Sequence, residues 1–170
     1  MAVQNFSEQV YKIKILLTDC DGVLTDGKIY YSSEGVEIKA FHARDGKGLK
    51  LLLERGIICG IITGRKSEMV NRRARELGIQ EVYQDAGDKE KIFDEIIERY
   101  DVFPEETAYI GDDINDLPVL KRVGFSAAVA DAVREVKQKV DYVTQRKGGS
   151  GALREVVDFL VRYNLLSEIN

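Results

Sequence analysis

At 170 residues, 44% hydrophobic and 32% charged, the chain has the length for one domain with a full core and a composition that excludes a disordered protein. A net charge of -4 without a dense Lys/Arg stripe argues against nucleic-acid binding, the local group Arg72, Arg73 and Arg75 being more simply one helix face. No basic leader and no run of about twenty apolar residues is present, which argues against export and membrane insertion and for a cytoplasmic protein.

In chain order, an apolar run predicts a buried strand over Ile13 to Thr18. Lys28 to Ala40 then reads as a β-hairpin: Ile29-Tyr30-Tyr31, a Ser32-Ser33-Glu34-Gly35 turn, and Val36-Glu37-Ile38. Further strands are predicted at Ile57 to Thr63, Glu81 to Tyr83, Thr107 to Ile110, Phe125 to Val129 and Tyr142 to Thr144. Apolar positions three and four apart predict helices over Leu49 to Arg55, Glu68 to Leu77, Lys89 to Tyr100, Asn115 to Arg122, Val133 to Lys139 and Ala152 to Tyr163. This alternation is the pattern of an α/β fold: a Rossmann-like, mostly parallel sheet with helices on both faces, plus a projecting hairpin. No Pro/Ser-rich linker divides the chain, so residues 1–170 read as one domain with a tail and helix from about 147 onward. Cys20 and Cys59 sit in apolar runs and read as reduced, packed thiols.

The chemistry gathers at the strand exits. Asp19-Cys20-Asp21-Gly22 delivers two carboxylates to the end of the first strand, where burial without a cation, a shifted pKa or solvent would be costly. Thr63-Gly64-Arg65, Lys89, and Gly111-Asp112-Asp113 with Asp116 fall at the same predicted sheet edge, where open α/β sheets place their ligands. Clustered acidic oxygens suit a hard divalent cation such as Mg²⁺, with Asp19 and Asp112 as ligands and Asp113 and Asp116 as supporting carboxylates. His42 is the only histidine, so together with two cysteines it makes a poor zinc set. The constellation fits phosphoryl transfer: Asp19 as nucleophile, Asp21 as general acid and base, and the metal, Lys89 and the Thr63 hydroxyl on the phosphoryl oxygens. Arg65 adds a forked donor for phosphate or a substrate carboxylate.

In their order, Asp19-Cys20-Asp21-Gly22-Val23-Leu24-Thr25, Thr63, Lys89 and Gly111-Asp112-Asp113-x-x-Asp116 resemble the four motifs of haloacid dehalogenase superfamily phosphatases. The resemblance implies Mg²⁺-dependent hydrolysis through an aspartyl-phosphate, with the backbone carbonyl of Asp21 also binding the metal. Asp19 to Gly27, the hairpin, Phe41-His42-Ala43-Arg44-Asp45-Gly46 and Gly148-Gly149-Ser150-Gly151-Ala152 are similar to one branch, the phosphatases of 3-deoxy-D-manno-octulosonate 8-phosphate in lipopolysaccharide synthesis. That branch implies a small-molecule sugar phosphate as substrate, no separate cap domain, and a homotetramer assembled through the hairpins. It also offers His42, Ala43, Arg44, Asp45, Gly46, Arg65, Arg73 and Lys89 as substrate contacts. Cys20 departs from the Val often found there, which leaves the mechanism intact. For Arg73 a solvated helix face and for His42 a cap at the hairpin base are the competing readings, and Gly148 to Gly151 reads either as a segment closing over a neighbour's site or as a flexible connection before the last helix.

Three other functions share parts of the pattern. A phosphatase of N-acylneuraminate 9-phosphate would use the same machinery on a nine-carbon acid. A non-catalytic oligomerisation module would have lost motif residues, yet Asp19, Asp21, Thr63, Lys89 and Asp112 are all present. A receiver domain would place its phosphoacceptor Asp at the end of the third strand, an arrangement this chain does not match.

Overall fold

The computed structural model describes residues 12–167, so the two ends of the predicted domain lie outside the described residues. Its centre is β1 (Ile15–Thr18), four consecutive fully buried residues, as expected of a strand covered on both faces. On one side β1 pairs with β4 (Ile58–Ile62), which pairs with β5 (Glu81–Tyr83). On the other it pairs with β6 (Thr107–Gly111), followed by β7 (Phe125–Ala128) and β8 (Tyr142–Val143). All pairs are parallel and the order is β5-β4-β1-β6-β7-β8. The chain runs outward from β1 on one flank, then returns to build the other, so the switch point falls between β1 and β6, where a crevice opens at the carboxyl ends.

The helices are α1 (Ala43–Glu54), α2 (Glu68–Leu77), α3 (Lys89–Tyr100), two single turns α4 (Leu117–Leu120) and α5 (Arg134–Lys137), and α6 (Ala152–Ser167). The hairpin is present as β2 (Tyr30–Tyr31) and β3 (Glu37–Ile38), an antiparallel ribbon separate from the main sheet. Cys20 and Cys59 are buried and unpaired, and burial pushes the Cys59 thiol up to about 12.

Four predicted helices differ from the structure, the last by running on to Ser167 instead of ending at Tyr163. α1 starts six residues before the predicted Leu49, because Gly46 and Gly48 interrupt its apolar pattern. Those glycines lie where α1 is approached by Arg73 and Leu77 of α2 and by Arg154 and Val157 of α6. The helix predicted over Asn115 to Arg122 is a 3₁₀ turn, Ile114–Asp116, followed by α4, and the one predicted over Val133 to Lys139 shortens to α5. In the first case Asp116, at the third position of the short turn, reaches back to the backbone amides of Asp112 and Asp113 as in a capping box.

The glycine-rich segment before α6 is packed, not a loose connection. Gly149 donates its N–H to the Val23 carbonyl (2.9 Å), and Gly148 donates to Asp131 (3.0 Å). A Cβ at Gly148 would overlap the Gly22 carbonyl oxygen, so only glycine permits the two backbones to touch. Gly148→Ala should therefore displace the Gly22–Thr25 turn. The expected result is a melting temperature lowered by several degrees together with reduced turnover; wild-type values for both would show that the contact is not needed.

Candidate active site

The site is built where three parallel strands end side by side. Thr18 of β1 is in register with Ile61 of β4 and Ile110 of β6, so the next residues, Asp19, Ile62-Thr63 and Gly111-Asp112, emerge together. The Asp19 amide continues the ladder to the Ile110 carbonyl (3.0 Å), which fixes its backbone. Asp19, Asp21, Thr63, Gly64, Arg65, Asp112, Asp113 and Asn115 line a crevice of about 130 Å³. A larger cavity of about 750 Å³, bordered by Arg44, Arg146, Arg154, Tyr142 and Phe159, shares none of these residues, and chemistry, not volume, places the site at the crevice.

Gly22 makes the approach of Asp112 possible. It has φ +99°, and a Cβ there would collide with the Asp112 carboxylate. Asp19, Asp112 and Asp116 consequently bring carboxylate oxygens within 4.8 Å of one another. Asp116 is fully buried and both of its oxygens are committed. Oδ1 accepts from Lys89 Nζ (2.7 Å) and the Tyr109 hydroxyl (2.7 Å), while Oδ2 accepts from the backbone amides of Asp112 (2.9 Å) and Asp113 (3.2 Å). Lys89 also reaches Asp19 Oδ1 at 2.8 Å. One ammonium thus bridges two carboxylates, with Asp112 left facing the crevice.

The electrostatics follow from that count of charges. Burial, then the charges of Asp19 and Asp116, push Asp112 up to about 8. Burial likewise raises Asp19, to about 6, against the attraction of Lys89. Lys89 is held above its usual range by Asp19 and Asp116, which outweigh its own burial. Carboxylates crowded until they resist ionisation, with oxygens open to a crevice, suit a divalent cation, and Asp19 and Asp112 are the side chains able to hold it. Asp116 has no oxygen to spare.

The remaining predicted residues divide. Arg65 lines the crevice and pairs with Glu37 of β3 (2.9 Å). Ala43 and Arg73 border a neighbouring cleft of about 330 Å³ with Lys39, Phe41, Met69 and Arg72, and Arg73 lies 5.9 Å over the Phe41 ring while bonding Glu76. His42 caps α1, its Nδ1 accepting from the Arg44 amide at 3.3 Å, and Arg44 faces the larger cavity. Asp45 and Gly46 are not brought to the crevice: Asp45 is buried and accepts from the Arg154 amide (2.8 Å) at the start of α6, and Gly46 is pressed against Arg73 and Leu77. Asp113 is exposed and caps its own turn through the Ile114 amide (2.7 Å). Sequence reasoning missed Tyr109, which looks like a core aromatic, and Lys39, which looks like a solvated hairpin lysine; Lys39 instead donates to Asp21 Oδ1.

With this geometry in place, the comparisons with known proteins are direct. A family model described as haloacid dehalogenase-like hydrolase matches residues 78–155. The chain is 46% identical over 149 residues to 3-deoxy-D-manno-octulosonate 8-phosphate phosphatase KdsC of Escherichia coli K12, covering 88% of this chain and 79% of that protein. The crystal structure of the Yersinia pestis 3-deoxy-D-manno-octulosonate 8-phosphate phosphatase superposes with a TM-score of 0.92 at 42% identity, covering 94% of this chain and 86% of that one. The Moraxella catarrhalis phosphatase of the same name, solved with magnesium, phosphate and KDO, gives 0.92 at 37% identity, covering 98% and 99%. The chain belongs to this 3-deoxy-D-manno-octulosonate 8-phosphate phosphatase family of haloacid dehalogenase-like hydrolases.

Two outcomes test the electrostatics. A carboxyl raised on folding contributes stability that is complete below its unfolded value, 3.8, and is lost as pH rises through the folded one. Metal-free protein should therefore melt at progressively lower temperature from about pH 5 to about pH 9, and Mg²⁺ should restore most of the loss at the alkaline end. A flat or rising melting curve in EDTA would contradict the crowding. Asp116→Asn breaks a buried pair and should cost about 3 to 5 kcal/mol, less whatever repulsion it relieves. Asp113→Asn, at an exposed position, should stay within about 0.5 kcal/mol of wild type in the same denaturant titration.

Proposed function

We propose that the protein hydrolyses 3-deoxy-D-manno-octulosonate 8-phosphate to 3-deoxy-D-manno-octulosonate and phosphate, with Asp19 as the nucleophile of an Mg²⁺-dependent, two-step reaction. The observation that carries this reading is Asp19 at the end of the central strand, gripped by Lys89 and facing Asp112 across the crevice, in a chain 46% identical to KdsC.

In the first step an Asp19 oxygen attacks phosphorus as the P–O bond to the sugar breaks, and Asp21 gives its proton to the departing alkoxide. Asp21 suits that role because it follows Asp19 by two residues, lines the same crevice, and remains partly accessible. In the second step Asp21, now a carboxylate, takes a proton from water as the water oxygen attacks phosphorus; the P–O bond to Asp19 breaks and phosphate leaves. Lys89 and the Thr63 hydroxyl stabilise the phosphoryl oxygens. Asp19 and Asp112, with the Asp21 carbonyl, would hold Mg²⁺, which supplies neutralisation of phosphoryl charge. Tyr109 and Asp116 orient Lys89. For the sugar acid, Arg65 at the crevice and Arg73 in the adjoining cleft supply cations for the carboxylate, with Ala43 on the wall; Asp45 and Gly46 serve the scaffold.

The assembly is a homotetramer held by the hairpins. Its support is apolar surface where a two-residue ribbon cannot be stable alone: Tyr31 is 65% exposed, Val36 55% and Ile38 52%. Light scattering at micromolar concentration should give four copies, and a monomer would remove the hairpins from this role. The reading includes a cytoplasmic location; no helix among the described residues is long and apolar enough to cross a membrane.

Phosphate release should favour 3-deoxy-D-manno-octulosonate 8-phosphate over N-acetylneuraminate 9-phosphate, and EDTA should abolish both. The opposite preference would keep the mechanism and change the substrate, while inactivity on both with Mg²⁺ present would support a non-catalytic module. Asp21→Asn should lower turnover by about 10²- to 10⁴-fold; unchanged turnover would withdraw the acid–base assignment.

A further inference from the structure

The hairpin is exposed along most of its length, with Ile29, Tyr30, Tyr31, Val36 and Ile38 all facing out, yet the side chain of Lys39 at its base is only 3% exposed. A lysine is rarely buried unless paired. Its ammonium donates to Asp21 Oδ1, which also accepts from the Thr25 hydroxyl at 3.5 Å. Glu37 Oε1 stands 3.9 Å from the same ammonium and 2.9 Å from Arg65 Nη2. A continuous set of charges therefore runs from Asp21 through Lys39 and Glu37 to Arg65, linking the hairpin to both edges of the crevice.

We propose that Lys39 is a positioning residue for the acid–base step, holding the Asp21 side chain through Oδ1 and leaving Oδ2 to give the proton in the first step and take it back in the second. The proposal rests on the assignment of Asp21 made above. Asp21 needs such a hold. It follows the end of β1 in a loop that turns at Gly22, it is outside the Asp116–Lys89 network that fixes Asp19, and its remaining side-chain partner is the long bond from Thr25. Proton transfer demands donor and acceptor within hydrogen-bond reach at the moment the bond breaks, so a carboxylate free to rotate away loses turnover without losing substrate. Lys39 also borders the cleft occupied by Phe41, Met69 and Arg73. Direct binding of the sugar is the competing role, and it would be read as a change in KM.

The test compares Lys39→Met with Asp21→Asn in the full chain, on the sugar 8-phosphate and on p-nitrophenyl phosphate. Nitrophenolate departs without a proton, so its release in the first turnover does not require Asp21. For Lys39→Met we expect turnover of the sugar phosphate to fall about 10- to 100-fold with KM within about twofold. The first-turnover burst of nitrophenolate should remain near wild type, and Lys39→Arg should recover most of the loss. A rise in KM alone, an equal loss of burst and sugar turnover, or wild-type rates would overturn the proposal. If Asp21→Asn shows the burst signature and Lys39→Met does not, only the Lys39 role fails; if Asp21→Asn itself lacks the signature, the acid–base assignment falls and this proposal with it. Should Lys39→Met not fold, Lys39→Gln on the same two substrates decides between the same outcomes.

Discussion

The site depends on a single buried carboxylate. Asp116 spends one oxygen on Lys89 and Tyr109 and the other on the amides of Asp112 and Asp113, so one side chain fixes both the cation that faces Asp19 and the backbone that carries Asp112. A buried ion pair costs desolvation that its own attraction scarcely offsets, and its retention makes sense where position matters more than stability. Here the position is that of an ammonium held 2.8 Å from Asp19 Oδ1, with a second carboxylate left across the crevice to share a cation.

Around that fixed centre the backbone is arranged for close approach. Gly22 lets Asp112 reach over the turn that follows Asp21, and the Gly148–Gly149 backbone lies against the same turn. Asp45 completes the support, because its bond to the Arg154 amide pins the start of α6 and thereby the end of the glycine segment. The catalytic turn is thus held by elements more than a hundred residues distant in sequence, while the hairpin contributes Lys39 from the solvent side.

How far the sequence disclosed this follows from what each residue had to do. Strands covered on both faces must be continuously apolar, so β1, β4 and β6 were readable, and with them the edge that gathers Asp19, Thr63 and Asp112. The start of α1 was hidden because Gly46 and Gly48 serve contact with α2 and α6, which local periodicity does not register. Asp116 was legible as a motif member, although its commitment of both oxygens was not. Tyr109 and Lys39 were illegible for opposite reasons: one resembles any buried aromatic and the other any surface lysine, and only the fold brings their polar atoms to Asp116 and Asp21. The candidates from His42 to Gly46 show the converse limit, since resemblance offered Asp45 as a substrate contact while the structure turns its carboxylate to the Arg154 amide at the start of α6.

The reaction passes through a covalent bond between Asp19 and phosphorus, and that bond can be caught. Enzyme quenched during turnover of 3-deoxy-D-manno-octulosonate 8-phosphate with Mg²⁺, treated with borohydride and digested, should yield the peptide containing residue 19 with its aspartyl-phosphate reduced to homoserine. The change should be absent without substrate. Reduction at another carboxylate, or none at any carboxylate while phosphate is released, would contradict the assignment of Asp19 as the nucleophile.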